Sequence, residues 1–233
     1  MNIENNYNLI VFKNINELNK YLLHLITSSN KKGSIILSWG NSLNKLFSYL
    51  SNNFKVLAIR KIFLSDERIV SHQIKKSNRF KLLKIFNKNK KHLNKNLVSI
   101  PSDFNEMSQS KLLKIMEKNL NESDQISTAI LSVAQDGHVA SLLNKKYTIK
   151  NSSKNFIVLK AKNENFNRVT FKLEYLANLN QIILIIVNRK KSHLLKILKE
   201  DKPSSLIVPF MKLIKSSNHK VLILTNKQCY KFI

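Results

Sequence analysis

The residues best suited to chemistry lie in Ser127–Leu143, where an apolar run ends abruptly in Asp136-Gly137-His138. Residues compatible with a β-strand, closed by an Asp-Gly turn, read as a buried strand that carries an imidazole to the rim of a sheet. An imidazole, with an ordinary pKa of about 6.5, suits a catalytic base in that place, and the plainer reading is a surface or satisfied turn histidine. Three more polar clusters follow apolar runs in the same way: Asn41-Ser42 after Ser34–Trp39, Asp66-Glu67-Arg68 after Val56–Leu64, and Asn188 to Lys191 after Ile182–Val187. A strand, a tight turn and a helix start can hold an anion on free N–H groups, with Asn41 and Ser42 adding side-chain contacts. The acids and arginine at 66–68 have a plainer reading as a solvated, self-paired charge cluster.

These clusters need elements to position them. Asn14 followed by Glu17 reads as a helix start, with Leu18, Leu22, Leu25 and Ile26 at helical spacing behind it. Helices are also expected over Asn41–Asn53, from Ser77-Asn78 onward, over Lys111–Leu120 and after Lys191. A further helix is expected over Ser204–Ile214, interrupted by Pro209, and the Lys-rich stretch Asn87–Asn96 reads as a loop. Strands are expected at Ser34–Trp39, Val56–Leu64, Ile126–Val133, Phe156–Leu159, Val169–Leu173, Ile182–Val187 and Val221–Leu224, with Arg168 standing between two of them. Strands alternating with helices indicate an α/β fold: a mostly parallel sheet with helices on both faces, doubly wound and Rossmann-like. Ligands of such sheets sit beyond the carboxyl ends of the strands, so the four clusters share one edge.

Length and composition narrow the class. The 233 residues are 43% apolar and carry no proline- or glycine-rich linker, so a single domain over 1–233 is expected. The longest aliphatic run is far shorter than the roughly 20 residues of a membrane-spanning helix, and the first residues show no secretory pattern. A soluble, cytoplasmic protein without a membrane partner follows. One cysteine, Cys229, excludes an internal disulfide and leaves no cysteine pair for zinc. The net charge of +26 comes mostly from scattered lysines, with no basic stripe interleaved with stacking aromatics, so nucleic acid is not the expected partner. The arginines are more telling, because a rigid guanidinium fork is hard to replace where a phosphate or carboxylate is gripped. They are Arg60, Arg68, Arg79, Arg168 and Arg189.

Taken together, the motifs resemble the 6-phosphogluconolactonase family, within the larger group that includes glucosamine-6-phosphate deaminases. Leu37 to Ser42 is similar to that family's Ser-Gly-Gly-Ser-Thr phosphate loop, and Asp66-Glu67-Arg68-Ile69-Val70 to its Asp-Glu-Arg-x-Val segment. Asp136 to Leu142 resembles its Asp-Gly-His-Thr-Ala-Ser-Leu signature, Arg168-Val169-Thr170 its Arg-Ile-Thr, Asn188 to Lys191 its Gly-x-x-Lys, and Pro203-Ser204-Ser205 its Pro-Ala-Ser. Trp39, Ser132, Ala134 and Asn188 stand where the family usually has glycine, which bears on loop shape. The resemblance implies hydrolysis of 6-phospho-D-glucono-1,5-lactone in the oxidative pentose phosphate pathway, with no cofactor and a small phosphosugar lactone as the only implied partner. It implies His138 as base with Asp136 beside it, and Asn41, Ser42, Asp66, Arg68, Arg168 and Lys191 as substrate-binding residues. Two alternatives stand beside it: a deaminase-like aldose–ketose isomerase, and a non-catalytic phosphosugar or nucleic-acid binder. The isomerases carry a catalytic glutamate where this chain has Leu143, which cannot exchange a proton.

Overall fold

A computed structural model describes residues 6–29, 33–40, 43–53, 59–71, 75–101, 107–142, 147–161, 164–200 and 208–231. Its elements in chain order begin β1 (Tyr7–Phe12), α1 (Ile15–Ser29), β2 (Ser34–Leu37), α2 (Asn44–Asn52), β3 (Ile62–Leu64), β4 (Asp66–Arg68) and α3 (Asn78–Ile85). There follow a 3₁₀ turn (Asn87–Asn89), α4 (Lys90–Asn96), β5 (Leu97–Val98), α5 (Gln109–Asn121), β6 (Ile126–Ser132), β7 (Tyr147–Ser152), β8 (Phe156–Ala161) and β9 (Asn167–Phe171). Next are α6 (Leu173–Ala177), β10 (Gln181–Ile186), a second 3₁₀ turn (Arg189–Lys191), α7 (Ser192–Glu200), α8 (Pro209–Ser216), β11 (Val221–Asn226) and α9 (Lys227–Tyr230).

Seven strands form one sheet in the order β1-β11-β10-β6-β2-β3-β5, and every neighbouring pair is parallel. The central strands are apolar on both faces because both are covered. In β10, Ile182, Leu184 and Ile186 share a core with Leu112 of α5, Leu195 of α7 and Phe210 of α8. Ile183 and Ile185, pointing the other way, share a second core with Leu18 of α1, Phe47 of α2 and Leu82 of α3. This is the doubly wound arrangement that the alternating pattern predicts. No helix among the described residues is long and apolar enough to cross a membrane.

Helix starts follow the side-chain signals. Asn14 Oδ1 accepts the N–H groups of Asn16 and Glu17 at 2.9 and 3.0 Å, while Glu17 reaches back to the Lys13 N–H at 3.1 Å. Ser77 Oγ accepts the Phe80 N–H at 3.2 Å and opens α3.

Several elements differ from the sequence reading. Asn87–Asn96 is not a loop but the 3₁₀ turn and α4, anchored by the fully buried Leu93. Pro209 does not interrupt a helix; it starts α8 at the position where a missing N–H does no harm. Its expected first half, from Ser204, lies outside the described residues, as does the first part of Val56–Leu64. The larger difference is a second, antiparallel sheet in the order β4-β9-β8-β7. The chain passes from one sheet to the other at Ser65, whose N–H donates to Leu37 O at 2.8 Å and whose carbonyl accepts from Phe171 N–H at 3.2 Å.

Asp66, Glu67 and Arg68 are therefore a strand rather than a solvated cluster, with Asp66 and Glu67 buried. The Glu67 carboxylate accepts the N–H groups of Arg68, Asn78 and Arg79, each at 2.7 Å, and the Ser77 hydroxyl at 3.1 Å. It thus holds the start of α3 against β4. Burial pushes its pKa up, and the N–H donors only partly oppose this. Glu67→Gln turns an amide toward donors and leaves some of them without an acceptor, so a loss of about 1–3 kcal/mol is expected in urea unfolding.

Candidate active site

The turn after β6 is held from several sides. Val133 pairs with Val139, and Val139 with Leu142, in isolated antiparallel bridges. The Ala134 N–H donates to His138 O at 2.9 Å, and the Gly137 N–H to Ala134 O at 3.0 Å. Gly137 has φ +81°, and a Cβ there would lie 2.0 Å from Val208 Cγ1. Glycine is required here for both conformation and space. His193 Nε2 donates to Gln135 O at 2.8 Å and the Phe210 N–H to Gly137 O at 3.1 Å, so α7 and α8 both brace the turn.

His138 Nδ1 lies 2.6 Å from Asp136 Oδ1, which also accepts the His138 backbone N–H at 3.3 Å. A carboxylate can only accept here, so Nδ1 carries a proton, and in the neutral ring Nε2 is then the nitrogen with the lone pair. Burial pushes the Asp136 pKa up, but the His138 ring and backbone N–H outweigh it and hold the carboxyl below its ordinary value. The pair is an imidazole held in one orientation by a carboxylate.

Cations stand at both ends of this turn. At the start, Lys191 is 8% exposed and its ammonium lies 3.4 Å from Ser132 Oγ. Burial lowers its pKa to about 8, while the nearby Cys229 thiol, itself pushed up by burial, opposes this only weakly. At the far end, Ser141 Oγ donates to Asp66 Oδ2 at 2.6 Å and accepts from Arg168 Nη1 at 3.3 Å. Arg168 also engages Glu164, through Nε at 2.7 Å and through Nη2.

Arg68 lies opposite Arg168 in the β4–β9 pairing and is fixed by Nη1 bonds to Lys76 O at 2.8 Å and Asn78 Oδ1 at 2.7 Å. Asp66 is 6% exposed and bonded to the hydroxyls of Ser141 and Ser65, so it faces inward and ties the turn to β4. Asn41 and Ser42 lie outside the described residues.

One cation was missed in the sequence. Lys81 of α3 feels the charges of Arg68 and Arg168 and lies 5.8 Å from the Trp39 ring centroid. Burial, followed by the repulsion from Arg68, lowers its pKa. Its only sequence signal is a place one turn after the Ser77-Asn78 helix start, which does not distinguish it from many other lysines.

Three of the replaced glycines have local explanations. Ser132 supplies the hydroxyl beside Lys191. Asn188, at φ −103° and ψ 133°, has ordinary extended backbone, and its side chain caps the following 3₁₀ turn by accepting from the Lys190 N–H. Trp39 stacks on Phe47 with centroids 5.5 Å apart.

The arrangement is a doubly wound α/β sheet with a carboxylate-oriented imidazole between cations at its carboxyl edge. The chain matches the model of the glucosamine-6-phosphate isomerases/6-phosphogluconolactonase family over residues 13–223, and it belongs to that family. Among solved structures, it resembles a 6-phosphogluconolactonase from Trypanosoma cruzi, with a TM-score of 0.77, 19% identity and coverage of 97% of this chain and 96% of that one. A Shewanella baltica 6-phosphogluconolactonase gives 0.75 and 18%, covering 94% and 97%. A third, from Thermotoga maritima, gives 0.72 and 19%, covering 95% and 99%. No curated protein sequence matches the chain.

Gly137→Ala should lower stability by about 2–4 kcal/mol in urea unfolding, from the positive φ and the collision with Val208. The Lys191 ammonium loses its charge as pH rises through about 8. Inorganic phosphate is already dianionic there, so its affinity measured by calorimetry should fall across that pH, and Lys191→Arg should move the fall to higher pH.

Proposed function

We propose that this protein hydrolyses 6-phospho-D-glucono-1,5-lactone to 6-phospho-D-gluconate, the lactonase step of the oxidative pentose phosphate pathway, in the cytoplasm. The observation that carries the reading is the 2.6 Å Asp136–His138 contact, set in a turn bounded by the Lys191 and Arg168 contacts. His138 Nε2 takes a proton from a water molecule as its oxygen attacks the lactone carbonyl. Asp136 stabilises the imidazolium that results. The tetrahedral intermediate then collapses, the ring C–O bond breaks, and the imidazolium returns its proton to the departing ring oxygen. The products are the open-chain acid, ionised at neutral pH, and the original neutral His138.

The cations act on the two ends of the substrate. Lys191 and Arg168, with Asn41 and Ser42, hold the phosphate, while Arg68 and Lys81 face the sugar acid. Gripping the phosphate away from the reacting bond fixes the carbonyl relative to the base. Asp66 acts through Ser141 on the position of the turn rather than by touching substrate. The isomerase reaction of the same family is disfavoured because Leu143 stands at the glutamate position.

Freshly generated lactone, followed with a coupled dehydrogenase that consumes 6-phosphogluconate, gives the decisive assay. The protein should open the lactone faster than it opens spontaneously, and His138→Ala should remove at least about 100-fold of that gain. Equal rates with wild-type protein and His138→Ala would refute the proposed base.

A further inference from the structure

Arg168, assigned above to the phosphate, is already occupied by a carboxylate of its own chain. Glu164 takes the Nε–H and an Nη2–H, and Ser141 Oγ takes Nη1, so each guanidinium nitrogen has a partner. The layering has a direction: the Arg168 side chain is 11% exposed and that of Glu164 26%, so the carboxylate is the more solvent-facing member of the pair. The guanidinium does not rely on Glu164 for its place. Its carbon lies 5.8 Å from the centroid of Phe166, whose ring is also 5.2 Å from the Lys76 ammonium, and its backbone is registered in the β8–β9 pairing.

We infer that Glu164 is an internal competitor for the phosphate monoester: its carboxylate occupies Arg168 in the empty protein and is displaced when substrate phosphate arrives. This rests on the lactonase reading for the identity of the phosphate, but not for the competition itself. A carboxylate and a phosphate dianion on one guanidinium repel one another, so Glu164 lowers the affinity of the site for every phosphate-bearing ligand, product included. It makes the site selective against weakly held anions and eases product departure. The effect belongs to specificity and release, because Glu164 takes no part in bond making.

The test is calorimetric titration of inorganic phosphate, and separately of 6-phosphogluconate, into the full chain. Glu164→Gln keeps the shape and removes the charge, and both ligands should bind about 5- to 20-fold tighter. In the Glu164→Gln, Arg168→Gln double variant that gain should vanish relative to Arg168→Gln alone. Glu164→Asp, whose side chain is one methylene shorter and reaches Arg168 less well, should show a smaller gain and serves if Glu164→Gln fails to fold. Unchanged or weaker binding in Glu164→Gln, or no binding to any form, overturns the inference. A gain that persists without Arg168 also overturns it, because it would be a general charge effect. In the lactone assay, KM should fall in Glu164→Gln and kcat should not rise. Turnover by wild-type protein without the affinity gain sinks only the competitor role, whereas the gain without turnover sinks only the lactonase reading.

Discussion

One buried hydroxyl holds the site together. Ser141 Oγ has a single proton, and donating it to Asp66 at 2.6 Å turns the oxygen's lone pairs toward Arg168. Three segments distant in sequence meet at this atom: the turn carrying His138, strand β4 carrying Asp66, and strand β9 carrying Arg168. The first leaves the parallel sheet and the other two belong to the antiparallel one, so the bond fixes one sheet against the other where the chemistry is placed. The preceding residue, Ala140, has φ +52°, a conformation that an alanine keeps only when its surroundings hold it.

Much of this was legible because burial on both faces leaves a plain mark. β2 and β10 carry continuous apolar runs and β6 a shorter one from Ala129 to Leu131, each followed by polar residues, and the rule that ligands gather at the carboxyl edge of such strands brought the imidazole and the lysine together. In the antiparallel sheet, β8 and β9 were readable as strands, but β4 and β7 left no such mark. β4 is three charged residues whose acids are buried against specific partners rather than against apolar side chains, and β7 is mostly polar because it forms an edge. Pairing also decides what a charged residue does: Glu164 and Lys81 are recognisable only once the turn before β9 and the start of α3 are placed. The resemblance implies Asp66 as a substrate residue, and in the structure it is buried and bonded to the hydroxyls of Ser65 and Ser141.

The replaced glycines follow the same logic. A loop needs glycine where the backbone turns left-handed or another group comes too close, and in this turn both conditions fall on Gly137. At Asn188 neither holds, and the amide that replaces glycine caps a turn instead. The lysine excess, by contrast, has no single structural focus: of the described ammonium groups, Lys191 is buried beside Ser132 and Lys81 feels the charges of Arg68 and Arg168.

One edge strand of the parallel sheet, β1, finds its partner more than 200 residues further on, with Tyr7 beside Val221 and Phe12 beside Asn226. During synthesis β1 therefore stays unpaired in this sheet until β2 to β10 have emerged and β11 follows them. Closure of that edge comes after the other described strands of the sheet are made, and until it happens β11 or β10 remains an open template for a neighbouring nascent chain.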